Sequence, residues 1–191
     1  MPRTMRPSVT AAALALAACG PAVGSGTAQT AAPSPPDSSP TAPAPADSAP
    51  VWLVADPAAK TVTLALQVTH GPDGAALLNG HRQGELQIVV PLGWTVQWDW
   101  RNADSTAAHS LVVMVEREKL PTEGGRAAFT NAMTRAVTTG LPAGQGDRTT
   151  FTADEAGWYW LLCGVASHAI GGEYLGLRVD PEAKTAVVRR K

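Results

Sequence analysis

The chain has 191 residues, and its 15 basic and 16 acidic side chains nearly cancel. This balance gives no electrostatic reason to expect nucleic acid, or any broad anionic surface, as a partner. The two cysteines, Cys19 and Cys163, lie in such different sequence contexts that a disulfide between them is not expected.

Residues 1–19 have the features of a secretory signal. Arg3 and Arg6 precede an apolar stretch of about ten residues, which is too short to span a bilayer. The stretch ends in the sequence LAAC at Cys19, which resembles the lipobox of bacterial lipoproteins. That resemblance implies that Cys19 is lipidated and becomes the mature N-terminus; the alternative is an ordinary signal peptide in which Cys19 is incidental. Either way we expect an exported protein in the periplasm or another extracytoplasmic space, with the lipid anchoring it to the membrane.

Residues 20–49 have a different composition, dominated by Pro, Ala, Ser and Thr. This segment contains no aromatic residue, so it cannot bury enough apolar surface to offset the entropy of ordering. We expect a disordered, semi-extended tether.

Residues 50–191 contain all six Trp, both Tyr and both Phe of the chain, and their number suits one domain. Residues 61–69 alternate apolar and polar side chains with a period of two, which is typical of a half-buried strand. About seven or eight such short runs separated by turn residues predict an all-β fold, an antiparallel Greek-key β-sandwich. The predicted strands are 61–69, 85–90, 95–101, 109–116, 147–153, 157–163 and 174–180. Two segments stay open: 127–140 could hold a helical turn, and the end of the chain could be a closing strand or a basic tail.

Three side chains in this domain form a candidate metal site. His109 opens a β-run after a turn-rich loop, Cys163 closes a strand, and His168 follows a short loop. Two strand ends and a loop can meet at one end of a sandwich. A thiolate with two imidazoles is the ligand set of a blue-copper electron-transfer site, which a weak axial donor completes. His70 and His81 lie in turn-like stretches and are interpreted as exposed loop histidines rather than ligands.

The residues around these positions resemble a known family. The segment NADSTAAHSLVV with GWYWLLCGVASHAIGG is similar to the two copper-site halves of the sulfocyanins, which are membrane-associated electron carriers of the cupredoxin class. The resemblance covers nearly all of residues 51–180 and implies a cupredoxin-like fold. It implies one type 1 copper ion, with His109, Cys163 and His168 as its equatorial ligands. It also implies that the protein is a redox carrier, not an enzyme, whose partners are a cytochrome or a membrane oxidase.

The chain departs from the family pattern at the axial position. In the sulfocyanins the corresponding residues resemble the pattern C-x4-H-x4-M, whereas in this chain Glu173 stands in place of the methionine. Three possibilities remain: Glu173 binds through a carboxylate oxygen; a backbone carbonyl such as that of Ala108 takes the position with Glu173 turned to solvent; or another sulfur reaches the metal. Met114 is the nearest sulfur in sequence, but five residues of strand from His109 span about 16 Å, which argues against it.

Other functions are also compatible with this set of residues. Cys163 and His168 could form a nucleophile and base, but no third orienting group is evident and an exported thiol would be exposed to oxidation. They could also be unrelated core residues, which the independent match at His109 disfavours. The main rival to electron transfer is copper storage or delivery without redox cycling. We expect the protein to be a monomer.

Overall fold

The computed structural model describes residues 51–191. The predicted signal peptide (1–19), the lipidation of Cys19 and the tether (20–49) lie outside the described residues. Within residues 51–191 the structure contains only strands, turns and loops. This part of the chain has no helix long and apolar enough to cross a membrane.

Ten strands make up the described domain. They are β1 (Leu53–Asp56), β2 (Thr61–His70), β3 (Ala76–Leu78), β4 (Leu86–Pro91), β5 (Thr95–Asn102), β6 (Val112–Val115), β7 (Gly146–Thr152), β8 (Gly157–Leu162), β9 (Tyr174–Asp180) and β10 (Val187–Arg190). Their pairing confirms an all-β fold.

The strands form two five-stranded sheets. The first has the order β1-β2-β5-β7, with β3 paired to the C-terminal end of β2. The second has the order β10-β4-β9-β8-β6. Strands β8 and β9 lie side by side inside the second sheet, and β6 forms its edge next to β8. The ends of β6, β8 and β9 are therefore neighbours.

Most strand pairs are antiparallel, as expected, but one pair in each sheet is parallel. Strands β2 and β5 run in the same direction, and so do β4 and β9. Parallel strands cannot be joined by a hairpin and need a crossover connection. Between the two strands of each parallel pair, the chain passes through the other sheet before it returns. Both sheets are therefore mixed.

The inner faces of the two sheets share one apolar core. The period-two pattern of β2 is confirmed, because its apolar residues are buried while the residues between them are exposed or partly exposed. Strand β5 repeats this pattern with Trp98 and Trp100 on its buried face. The core includes Val62, Leu64, Leu66, Ile88, Val90, Val96, Trp98, Trp100, Leu161, Leu175, Leu177 and Val179. This core gives a rigid support to the loops at the sandwich ends.

Two open questions from the sequence are resolved. The end of the chain is a closing strand, because β10 pairs with β4 along the edge of the second sheet. Residues 127–140 form turns with no regular helix, although the N–H of Gly140 donates to the carbonyl of Ala136 in a single helix-like turn.

Candidate metal centre

The register of the second sheet brings Cys163 and Glu173 to the same place. Strands β8 and β9 pair antiparallel up to Leu162 opposite Tyr174. Continuing this register by one residue sets Cys163 opposite Glu173, and the Cys163 N–H donates to the Glu173 carbonyl at 3.1 Å. Residues directly opposite each other point their side chains to the same face. The thiol and the carboxylate therefore share one face at the end of the sheet.

His109 arrives at this face from the other neighbour of β8. Strand β6 pairs with β8 with Val112 opposite Leu162, and His109 comes three residues before Val112. The backbone of His109 is fixed by two hydrogen bonds with Leu141, one in each direction, at 3.2 and 2.7 Å. Gly140 makes this bridge possible, because its φ is +74° and a Cβ there would lie 2.8 Å from the His109 nitrogen.

His168 comes from the loop between β8 and β9, which folds as consecutive turns. The N–H of Glu173 donates to the carbonyl of His168 at 3.1 Å, and the N–H of His168 donates to the carbonyl of Val165. Gly172 allows the chain to turn back into β9, since its φ is +110° and a Cβ would meet Gln83 at 2.9 Å. The loop thus places His168 over Cys163 and Glu173.

Four ligand atoms meet at this point. The ligating atoms of His109, Cys163, His168 and Glu173 all lie within 4.8 Å of one another. The Cys163 sulfur is 3.5 Å from Nδ1 of His168 and 3.9 Å from Nδ1 of His109, and the two Nδ1 atoms are 3.2 Å apart. With nitrogen at ~2.0 Å and thiolate at ~2.3 Å from one first-row ion, ligand atoms would be about 3.3–3.8 Å apart. The spacing fits a single metal ion bound by two imidazoles and a thiolate.

Glu173 occupies the fourth corner of this cluster. Its Oε2 lies 2.8 Å from Nδ1 of His109 and 3.1 Å from Nδ1 of His168. The residue is 3% exposed, and its Oε1 is buried with no hydrogen-bond partner in the described part of the chain. The alternative in which Glu173 turns to solvent is therefore wrong. A buried carboxylate oxygen without a hydrogen-bond partner is unfavourable. A cation bound beside these three soft or borderline ligands would supply the missing partner.

The sulfur of Met114 does not belong to the cluster. Met114 lies on β6 and packs against a small apolar cluster with Val112, Trp160 and Leu162. Its methyl group contacts Gly125. This packing agrees with the sequence argument against Met114 as the axial donor.

The electrostatics of the cluster favour protonated imidazoles at His109 and His168 and a deprotonated thiol at Cys163. Burial alone would lower the pKa of His109, but hydrogen bonds with Cys163, Glu173 and Asp104 raise it to about 10. The pKa of His168 rises to about 9 through its hydrogen bonds to Cys163 and Glu173. Burial would raise the pKa of the Cys163 thiol, whereas the two imidazoles lower it. Without a metal, the positive charge of the protonated imidazoles thus favours the thiolate form of Cys163.

Ser110 supports the thiolate, a role not foreseen from the sequence. Its backbone N–H points to the Cys163 sulfur at 3.4 Å. Its hydroxyl donates to the carbonyl of Val137 at 2.6 Å and accepts from the N–H of Gly164 at 2.9 Å. Ser110 thereby ties together the chain segments before β6 and after β8. The one sequence feature that could have indicated this role is the position of Ser110 directly after His109.

Asp104 was also missed, although it touches His109. It is 1% exposed, and its Oδ2 lies 3.0 Å from Nε2 of His109 and 3.0 Å from Nδ1 of His70. Its Oδ1 accepts hydrogen bonds from the backbone and the hydroxyl of Thr106. His70 is exposed, as expected, but it ends β2 rather than lying in a loop. His81 was expected to be exposed, but it is half-buried and contacts Glu85.

A cavity of about 270 Å³ borders the cluster. Its walls include His70, Asp104, His109, His168 and Glu173. The imidazole of His168 is 26% exposed, while Cys163, His109 and Glu173 are buried. Among the four cluster side chains, His168 is thus the one that reaches the surface.

Residues 48–186 match the family model described as the sulfocyanin (SoxE) domain. A search of curated proteins returned no match.

Several solved structures match part of this chain. Rusticyanin shows 18% identity with a TM-score of 0.43, over 63% of this chain and 83% of that one. Auracyanin from Roseiflexus castenholzii shows 19% identity with a TM-score of 0.43, over 62% and 97%. A multicopper oxidase shows 19% identity with a TM-score of 0.45, over 64% of this chain and 43% of the oxidase.

The family assignment rests on the domain match and on the site. The match covers well over half of the chain, from before β1 to the residue before β10. It includes all four residues of the cluster, whose two imidazoles and thiolate suit the copper that cupredoxins bind. The chain belongs to the sulfocyanin family of cupredoxins.

Proposed function

We propose that this protein is a one-electron carrier that holds a single type 1 copper ion. The observation that carries the proposal is the convergence of His109, Cys163, His168 and Glu173, whose ligating atoms lie within 4.8 Å of one another. Copper bound to such a set supplies a one-electron redox couple, Cu(II)/Cu(I).

The protein's contribution is a fixed set of donors. His109 is held by the bridge to Leu141, and Cys163 is held by its backbone hydrogen bond to Glu173. The apolar core behind these strand ends is close-packed and resists rearrangement. Because the donors cannot move far, they keep one arrangement in both oxidation states. Small reorganisation of this kind favours rapid electron exchange.

Glu173 is proposed as the fourth ligand. Its Oε2 already faces both imidazole Nδ1 atoms, and its Oε1 has no other partner. A carboxylate oxygen is a harder donor than the thioether of the family pattern, and hard donors favour Cu(II) over Cu(I). We therefore expect a lower reduction potential than in relatives with methionine at this position.

The burial of Cys163 favours a ligand over a nucleophile. The residue is 1% exposed and lies beneath the surface-reaching His168. A nucleophilic thiol must be reached by its substrate, whereas a thiolate ligand is protected by burial. A metal-binding role also explains why two further donors lie around the sulfur.

His168 is proposed as the electron port. Its imidazole is the part of the cluster that reaches the surface, and Ile170 beside it is 54% exposed. An exposed apolar side chain at the port suits brief, weak docking. The partners would be other redox proteins of the cell envelope, such as a cytochrome or a membrane oxidase.

The location follows from the N-terminal sequence. We propose that residues 1–19 direct export and that Cys19 carries a lipid, so that the domain works as a monomer on a tether at the membrane surface. Mass spectrometry of the mature protein from its membrane fraction tests this. A diacylated N-terminal Cys19 is expected, and an unmodified N-terminus elsewhere would contradict it.

Electron transfer and copper delivery are distinguished by one experiment. The copper-loaded full chain is studied by protein-film voltammetry and then exposed to a Cu(I) chelator after reduction. A carrier gives a reversible one-electron wave and keeps its copper through repeated cycles. A delivery protein gives no reversible wave, or surrenders its copper to the chelator once it is reduced; either result would refute the proposal.

A further inference from the structure

Asp104 is the most completely satisfied buried acid next to the cluster, and it lies outside the ligand set. Its two oxygens make four hydrogen-bond contacts, two to Thr106, one to His70 and one to His109. The backbone N–H and the hydroxyl of Thr106 both donate to Oδ1, and Oδ2 faces two imidazole nitrogens, so Asp104 is the acceptor in all four contacts.

An acceptor at this place determines which nitrogen of His109 carries a proton. The Asp104 Oδ2 lies 3.0 Å from Nε2 of His109, so that Nε2 must be the N–H that donates. When a metal displaces the other proton, Nδ1 is the free nitrogen, and Nδ1 is the atom that faces Cys163, His168 and Glu173. The hydrogen bond to Asp104 thus selects the His109 tautomer that leaves Nδ1 free for metal binding.

The carboxylate itself is held in place by the local chain. Asn102, at the end of β5, accepts from the Asp104 N–H at 2.9 Å and donates to the carbonyls of Ala107 and Leu141. Because Leu141 also bridges the backbone of His109, the same network fixes both the acceptor and the histidine. His70 donates to the same Oδ2 from the solvent side.

We propose that Asp104 is a positioning residue for the copper site, acting through His109. It holds the ring in the Nδ1-presenting tautomer and, as a carboxylate, increases the electron donation of the imidazole to the metal. Acceptors of this kind typically contribute 10–100-fold to metal affinity. This inference rests on the proposed function, in that His109 is taken as a ligand.

Two substitutions separate positioning from charge. Asp104→Asn removes the charge but keeps an oxygen that can accept from His109, whereas Asp104→Ala removes both. We expect Asp104→Ala to lose about 10–100-fold in Cu(II) affinity and Asp104→Asn to lose less. Each tenfold loss of Cu(II) relative to Cu(I) affinity raises the potential by about 59 mV.

The test uses the full chain loaded with copper. Chelator competition gives the Cu(II) affinity, voltammetry gives the potential, and proton–nitrogen NMR of the Cu(I) form follows the His109 Nε2–H. The wild type should show a slowly exchanging Nε2–H signal that Asp104→Asn keeps and Asp104→Ala loses. Equal shifts of the potential in both variants with the signal retained would mean a charge effect alone and would overturn the positioning role. So would wild-type affinity and potential in Asp104→Ala.

Failure of the proposed function gives a different result. If the wild type binds no copper, the electron-carrier proposal fails first. The Nε2–H signal of metal-free protein then still decides whether Asp104 orients His109, through the same comparison of the two variants.

Discussion

Oε2 of Glu173 lies 2.8 Å from Nδ1 of His109, a residue 64 positions earlier in the chain. The two residues reach each other because the pairing of β6, β8 and β9 brings the chain segments next to these strands together at the same end of the second sheet. A buried acid therefore stands where relatives are expected to have a methionine, and it faces the nitrogen that a metal would use.

Replacing Glu173 by methionine tests the axial role. Glu173→Met should raise the reduction potential, because a thioether stabilises Cu(I) relative to a carboxylate. A tenfold change in relative affinity corresponds to about 59 mV, which voltammetry measures easily. Glu173→Gln serves as a control that keeps shape and removes charge. An unchanged potential and spectrum in Glu173→Met would show that Glu173 is not a ligand.

Copper binding should depend steeply on pH. Metal-free His109, with a pKa of about 10, and His168, with a pKa of about 9, are protonated at neutral pH and must lose those protons to bind the metal. Apparent affinity should therefore rise with pH and fall on acidification, by up to ~100-fold per unit while both protons are displaced. Calorimetry in buffers of different ionisation enthalpy counts the released protons. A binding constant that stays the same from about one pH unit below neutrality to about one unit above it would contradict the pKa shifts.

Gly140 should be needed to position His109. In Gly140→Ala the new Cβ would lie 2.8 Å from the His109 nitrogen, in addition to the unfavourable positive φ. The matched control is Gly144→Ala, which has a φ of +78° but no heavy atom within 4 Å of the added Cβ. Both should lose about 1–2 kcal/mol from the backbone. Only Gly140→Ala should lose a further ~1–3 kcal/mol from crowding, together with copper affinity. Chemical denaturation and chelator competition measure these effects, and equal losses in the two variants would argue against the constraint.

Ser110 should affect stability more than redox chemistry. Ser110→Ala leaves the carbonyl of Val137 and the N–H of Gly164 without their partner, at a cost of about 1–3 kcal/mol. The backbone N–H of residue 110 still reaches the Cys163 sulfur, so the potential should change little. Ser105→Ala, at an exposed position, is the control for denaturation. A large change of potential without loss of stability would assign the hydroxyl a direct role at the sulfur.

The sequence predicted seven of the ten strands and the four cluster residues because their signals are local. The alternation of β2 and the C-x4-H spacing of Cys163 and His168 can be read within a few residues. Strands β1 and β3 were missed because four and three residues are too few to show a period. The parallel pairs were missed because they depend on crossovers between sheets. Asp104 was missed for a related reason: its partner His70 is 34 positions away, on a strand whose pairing the sequence does not reveal.

The absorption and EPR spectra of the full chain, recorded while it is titrated with Cu(II), test the central proposal most directly. We expect saturation at one copper per chain and an intense visible band from charge transfer between the Cys163 thiolate and the metal. The nearly isosteric variant Cys163→Ser should remain folded and lack the band. A wild-type protein that binds no Cu(II), or that binds it with only the weak absorption of nitrogen and oxygen ligands, would contradict a type 1 copper site.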